Sequence, residues 1–513
     1  MEFEKTIQEG YAFEEDYFSI GSAVFEGEPV KGAVVNIPLK TLNRHGLISG
    51  ATGTGKTKTL QIIAEQLSAN GVGVLLMDFK GDLSGVAQPG TTNKHVVHRH
   101  EMMEQPWEAE GFPVELMSLS DQEGVRLRAT VSEFGPVLFS KILGANDTQQ
   151  GIISILFKYC DDFDLPLLDL KDFRKVLQFI SNEGKEEIEE EYGKVSGSSV
   201  GAIMRKLVEL ESQGADLFFG EKSFEVEDLV RTDRDGRGFI NIIRLDDIQD
   251  RPKLFSTFML CLLSEIYQKF PEEGDMDKPK LAIFIDEAHL VFSEASRALL
   301  DQLESIVKLI RSKAVGVFFC TQNPTDIPDS VLSQLGLKVQ HALRAFTAKD
   351  RKSIKMVAEN YPITEFYDVD QTLTQLGIGE AFVTVLNKKG IPTPLVHTLL
   401  RSPSSRMDIL TNKERKEVLK SSRLIDEYNQ VIDRESAHEI LGKKLEKARK
   451  EQEAREAREA KEKAKRSTST RRRSRKEESA FEAFINHTTT RQIGRTVARE
   501  LARGLLGVLG VKR

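Results

Sequence analysis

The chain has 513 residues, 40% hydrophobic and 29% charged, with a formal net charge of −7. That length exceeds what one compact domain needs, and the acidic balance argues against a generic polyanion binder. Its three cysteines are far apart in apolar runs and give neither a metal pattern nor a disulfide framework, so a reducing cytoplasm is the expected location. The acidic N-terminus MEFEKTIQEG does not read as a signal peptide, and no apolar run approaches the roughly 20 residues of a membrane span.

In chain order, residues 1–44 read as a short β-rich lead-in. His45–Ser49 is a short strand running into Gly50-Ala51-Thr52-Gly53-Thr54-Gly55-Lys56-Thr57, which fits G-x-x-x-x-G-K-[ST]. Glycines let successive N–H groups curl into a concave anion site. Lys56 reaches the outer phosphates as a point charge, Thr57 offers a hydroxyl to Mg²⁺, and Lys58 continues the loop into a helix over 56–67 whose N-terminus faces the phosphates. The loop is built to hold ATP with Mg²⁺.

Further apolar runs at 72–79, 113–118, 238–245, 281–285, 315–320, 338–344 and 380–386 read as strands, several of them continuously apolar, as in a parallel sheet covered on both faces. Helical patterns at 254–270 and 295–311 alternate with them, which predicts an α/β fold. The ATPase core is expected over 45–140 and 236–402, broken by a charged helical insertion over 141–235. Residues 403–476 read as a charged helical region, with a solvated helix at 443–465 and a basic linker, RSTSTRRRSRK, at 466–476. Residues 477–513 form a cationic amphipathic tail.

The run LAIFIDEAH ends a strand in two carboxylates. Asp286 suits a water-bridged Mg²⁺, and Glu287 suits orienting and deprotonating an attacking water. The letters DEAH also suggest a DEAH-box helicase. Such an enzyme needs a second motor domain with Q-x-x-G-R-x-x-R, and the nearest run, Gln492-Ile493-Gly494-Arg495, is one residue too short and lies in the tail. Gln322, at the end of the next strand, is placed to touch a γ-phosphate and its water, and Arg311 to face a phosphate of its own or a neighbouring subunit.

The set GATGTGKT, LLMDFKGDLSG, FIDEAH, IRSKAVGVFFCTQNP and IGEAFV resembles the HerA/FtsK branch of P-loop ATPases, and more closely the bacterial HerA-like helicase C-terminal family. The resemblance covers most of residues 20–400 and extends to the tail RTVARELARGLLGVLG. It implies a RecA-like core in a hexameric ring, with Lys56, Thr57, Asp286 and Glu287 as the Walker residues. It further implies that Asp78 is an extra acid at the metal, Gln322 the polar sensor, Arg311 an arginine at or near the ATP, and Arg344 a second candidate for that arginine. Unlike HerA proper, the given sequence is not expected to hold a β-barrel in its short lead-in. DNA is the expected cargo, with Lys94–His100 and the basic linker as candidate contacts. The alternative is a ring that remodels or scaffolds proteins. The tail, with Val497, Leu501, Leu505 and Leu509 on one stripe and arginines on another, suits packing on its own oligomer or lying on an anionic membrane surface.

Overall fold

A computed structural model describes residues 2–470 apart from 275, 295, 296, 431 and 433. The amphipathic tail and most of the basic linker therefore lie outside the described residues. The chain divides into two compact units. Of the described residues, one comprises those up to Arg128, Gln213–Phe218 and 222–430; the other comprises Ala129–Ser212, Phe219–Glu221 and those from Ile432 to Thr470.

The first unit is built on one sheet of twelve strands, in spatial order β2-β1-β12-β11-β10-β3-β9-β8-β4-β7-β5-β6. In chain order these are β1 Tyr17–Phe25, β2 Glu28–Pro38, β3 Gly46–Ser49, β4 Gly73–Asp78, β5 Val114–Ser118, β6 Val125–Arg126, β7 Ile240–Arg244, β8 Leu281–Ile285, β9 Val315–Thr321, β10 Leu337–Gln340, β11 Glu380–Thr384 and β12 Val396–Leu400. From β10 to β6 every neighbour is parallel; from β10 outward to β2 every neighbour is antiparallel. The central strands β3, β4, β8 and β9 are buried at every position, which is why their sequences run apolar without alternation. Phe284 on β8 stacks on Phe318 on β9 with ring centroids 4.6 Å apart.

Because β3, β9, β8 and β4 are adjacent and parallel, their C-terminal ends open on one edge, where ligands bind in such sheets. The lead-in is not wholly β: it starts with a helix, Glu2–Gly10, that buries Phe3 and Ile7. The stretch Lys94–His100 is also helical, as part of Lys94–Met103, because Asn93 accepts from His95 N at 2.9 Å and Val96 N at 3.1 Å. Two of its basic residues serve the fold. Arg99 donates to the carbonyls of Ile378, Gly379 and Leu400, and buried His100 accepts from Ser402 N at 3.2 Å.

The second unit is helical. Its core includes Phe139 against Phe173, with ring centroids at 4.7 Å, and Phe157 beside them. It begins earlier than the charge pattern indicates, at Ala129, and it takes in a late helix, Ala437–Thr470. That helix starts six residues before the predicted 443 because Asp172 accepts from His438 N at 2.8 Å, and Ala437 and Leu441 are buried. No described helix is long and apolar enough to cross a membrane.

Candidate active site

The phosphate loop leaves β3 and enters the helix Lys56–Ala69. Gly50, Gly53 and Gly55 have φ of 148°, 78° and 115°. At Gly50 the lack of a side chain is also steric, since a Cβ there would lie 2.5 Å from the Cβ of His341. His341 is buried beneath the loop, paired with the Thr59 hydroxyl at 2.8 Å, and burial together with the nearby Lys56 charge pulls its pKa down to about 4. Gly55 caps the helix with no side-chain hydrogen bond, so the first N–H groups are left to face a phosphate. Lys56 is buried, and its Nζ donates to the Ala51 carbonyl at 3.1 Å. Burial draws its pKa below the ordinary lysine value, with the charges of Asp286 and Glu287 opposing.

From β8 come Asp286 and Glu287, both buried. Asp286 Oδ2 has no hydrogen-bond partner, an acceptor that a hydrated Mg²⁺ would satisfy. Together with the Thr57 hydroxyl it would supply the few protein ligands that Mg²⁺ takes. Glu287 adopts φ 44°, a conformation rare outside glycine. Its Oε2 faces Gln322 Nε2 at 3.5 Å and His289 Nδ1 at 3.2 Å, and its Oε1 forms an ion pair with Lys80. Burial raises the Glu287 pKa, but Lys80, His289 and Gln322 together outweigh it and hold the carboxyl below its ordinary value. Gln322 also accepts from the Thr52 hydroxyl at 3.3 Å, so one side chain links the phosphate loop to Glu287.

Three expectations change. Asp78 is not poised for metal: Oδ1 accepts from Gly81 N at 2.7 Å and Asp82 N at 3.2 Å, and Oδ2 from Leu83 N at 3.1 Å. It shapes the turn that carries Lys80. Lys58 turns its amine from the loop to the Met407 carbonyl at 2.6 Å, leaving only its backbone N–H for phosphate. Arg311 precedes β9 while Gln322 follows it, and seven residues of strand separate their ends by roughly 20 Å. Arg311 is thus absent from its own chain's site. Arg344, instead, lines a cavity of about 520 Å³ with Ala51, Thr52, Gln322 and Phe346. In sequence Lys80 carries no signal of a site role, and His289 reads as an ordinary polar residue after its strand. Lys80 lies inside the run DFKGD and His289 inside DEAH, but neither spacing shows that both touch Glu287.

The family "Helicase HerA-like C-terminal" matches residues 25–513. The chain belongs to the HerA-like C-terminal helicase family. Among its relatives is the DNA double-strand break repair helicase HerA of Sulfolobus acidocaldarius, 23% identical over 363 residues, 70% of this chain and 66% of that one. The same-named protein of Saccharolobus solfataricus is 21% identical over 376 residues, 69% of this chain and 64% of that one. The chain therefore spans 64–66% of the length of these two relatives. The bacterial conjugative coupling protein TrwB, in its unbound monoclinic form, shares the fold with a TM-score of 0.50 at 14% identity, over 77% of this chain and 97% of that one. In the HerA-like chain the RecA-like core is thus the twelve-stranded unit, with the loop, Asp286, Glu287 and Gln322 on one edge of its sheet.

Proposed function

We propose that this HerA-like chain hydrolyses ATP with Mg²⁺ and works as a ring-shaped DNA translocase. The observation that carries the hydrolytic part is Gln322, which joins the phosphate loop at Thr52 to the carboxylate of Glu287. A binding protein needs the loop alone; a hydrolase needs the terminal phosphate and the base held in one register. Lys56 and the helix N-terminus bind and neutralise the phosphates. Thr57 and Asp286 would hold Mg²⁺, which would polarise the outer phosphates. Glu287 takes the proton of the attacking water, and Gln322 keeps its carboxylate oriented.

The ring is supported by Arg311. It is exposed and a strand length from its own phosphate loop, so any nucleotide it serves belongs to a neighbouring subunit. Arg311→Ala then lowers turnover, and mixing it with Lys56→Ala subunits restores part of it; no restoration would remove this support. The DNA assignment rests on the HerA relatives, whose names state a DNA helicase. The test is steady-state ATPase activity with and without long double-stranded DNA, across a salt series, with Glu287→Gln as the blank. Stimulation that weakens as salt rises supports a translocase. A DNA-indifferent rate in an assembled ring overturns the DNA assignment in favour of a protein-remodelling ring.

A further inference from the structure

We propose that Lys80 is a terminal-phosphate switch: it pairs with Glu287 until a nucleoside triphosphate enters, then moves to the γ-phosphate and frees Glu287 to act as the base. The inference rests on the ATPase reading above. It is carried by the Lys80–Glu287 ion pair and by the way the fold mounts each partner.

Lys80 sits in the turn that follows β4, and β4 lies next to β8, whose end carries Glu287. The backbone of that turn is fixed. Asp78 accepts from three successive N–H groups, and Gly81 takes φ 72°. The lysine side chain is 40% exposed, whereas that of Glu287 is 8% exposed. The mobile partner is therefore the lysine, and the carboxylate is the fixed one. With Lys80 gone from Oε1, Glu287 keeps the Gln322 amide on Oε2, so it stays oriented while one oxygen becomes free.

Charge supplies the driving force. Lys56, Lys80, Asp286 and Glu287 lie within electrostatic reach of one another and sum to zero. Even with Mg²⁺ sharing its charge, a γ-phosphate offers Lys80 three acceptor oxygens, against the one oxygen offered by Glu287. Lysine acts on phosphate as a flexible point charge, so no fixed fork geometry resists the transfer. A diphosphate lacks the group that would draw Lys80 away. In the ADP state the pair persists and the base stays blocked. After the switch, the water oxygen bonds to the γ-phosphorus as its proton passes to Glu287. The bond to the bridging oxygen breaks with its electron pair going to ADP, and inorganic phosphate leaves.

The experiment uses the full chain with Mg²⁺ and four proteins: wild type, Lys80→Met, Lys80→Arg and Glu287→Gln. Displacement of a fluorescent nucleotide gives affinities for ADP and for a slowly hydrolysed triphosphate analogue; turnover gives kcat and KM. Lys80→Met is expected to bind ADP as wild type does, to lose about tenfold or more of its triphosphate preference, and to lose kcat. Lys80→Arg is expected to recover part of both, since the charge is kept. A merely structural role would move both affinities together and leave their ratio intact. A Lys80→Met protein whose triphosphate-to-ADP ratio and kcat stay within about twofold of wild type overturns the switch alone. A wild-type protein without turnover, or Glu287→Gln at the wild-type rate, overturns the ATPase reading and the switch with it.

Discussion

Gly50→Ala is the substitution whose consequence the geometry defines most sharply. Two separate costs arise. At φ 148° the backbone is in a region that L side chains avoid, which costs about 1–3 kcal/mol. The new Cβ would also lie 2.5 Å from His341 Cβ and 3.1 Å from two His341 backbone atoms. His341 cannot retreat easily, because its N–H donates to the Ser49 carbonyl at 2.7 Å and its ring holds Thr59. Overpacking of this kind adds about 1–3 kcal/mol, for a total near 2–6 kcal/mol. Gly53 is the control: φ 78°, but nothing within 4 Å of its would-be Cβ, so Gly53→Ala should cost only about 1–2 kcal/mol. Trp107, the only tryptophan, donates to the Pro403 carbonyl at 3.0 Å and reports on the same unit. Urea unfolding followed by its fluorescence should place Gly50→Ala well below Gly53→Ala in stability. Relief of the clash also shifts the loop by about an ångström, enough to lower turnover by about a hundredfold. Equal stabilities for the two variants would refute the steric argument.

Three more outcomes are expected. Glu287→Gln should bind ATP at near wild-type affinity while turnover falls by roughly 10²–10⁴, measured by phosphate release against nucleotide binding. Glu65→Ala should destabilise the first unit by about 2–4 kcal/mol and shift Trp107 emission, because it strips a buried acceptor from Ser404 N at 2.8 Å and Ser405 N at 3.1 Å. Burial draws His45 from 6.5 down to about 4, and its Nδ1 accepts from Val317 N at 3.0 Å while Nε2 lies 2.7 Å from the Val307 carbonyl. The unfolded chain therefore takes up this proton first as pH falls, and stability present at neutral pH, about 3 kcal/mol for this group, is lost between roughly pH 6.5 and 4. His45→Asn, which keeps a side-chain acceptor but has no group that titrates in this range, should flatten that part of the pH–stability curve.

Much of the site is legible in sequence where chemistry and spacing are local. The phosphate loop is a covalent run of eight residues, and its glycines, Lys56 and Thr57 need only the preceding strand and following helix to take their roles. The run LAIFI fixes where Asp286 and Glu287 stand because a fully apolar strand must end where the carboxylates begin. The α/β fold follows from the same runs. β12 is not legible in the sequence because VHTLL is short, follows two prolines and matters only as the partner of β11 and β1. The start of the helix at Ala437 is not legible in the sequence because its first turn is held by Asp172, far away in the chain.

What the sequence alone determined is therefore the nucleotide loop, the acidic strand end and the layered class of the fold, since each rests on neighbours in the chain. The tertiary structure decided which of the distant side chains share the site. Sheet order β3-β9-β8-β4 brings Gln322 between loop and base, sets Lys80 against Glu287, turns the Asp78 carboxylate into a backbone anchor, and removes Arg311 to the far end of its strand. Parallel pairing places strand ends together whatever their separation along the chain, and that convergence is invisible until the strands are ordered in space.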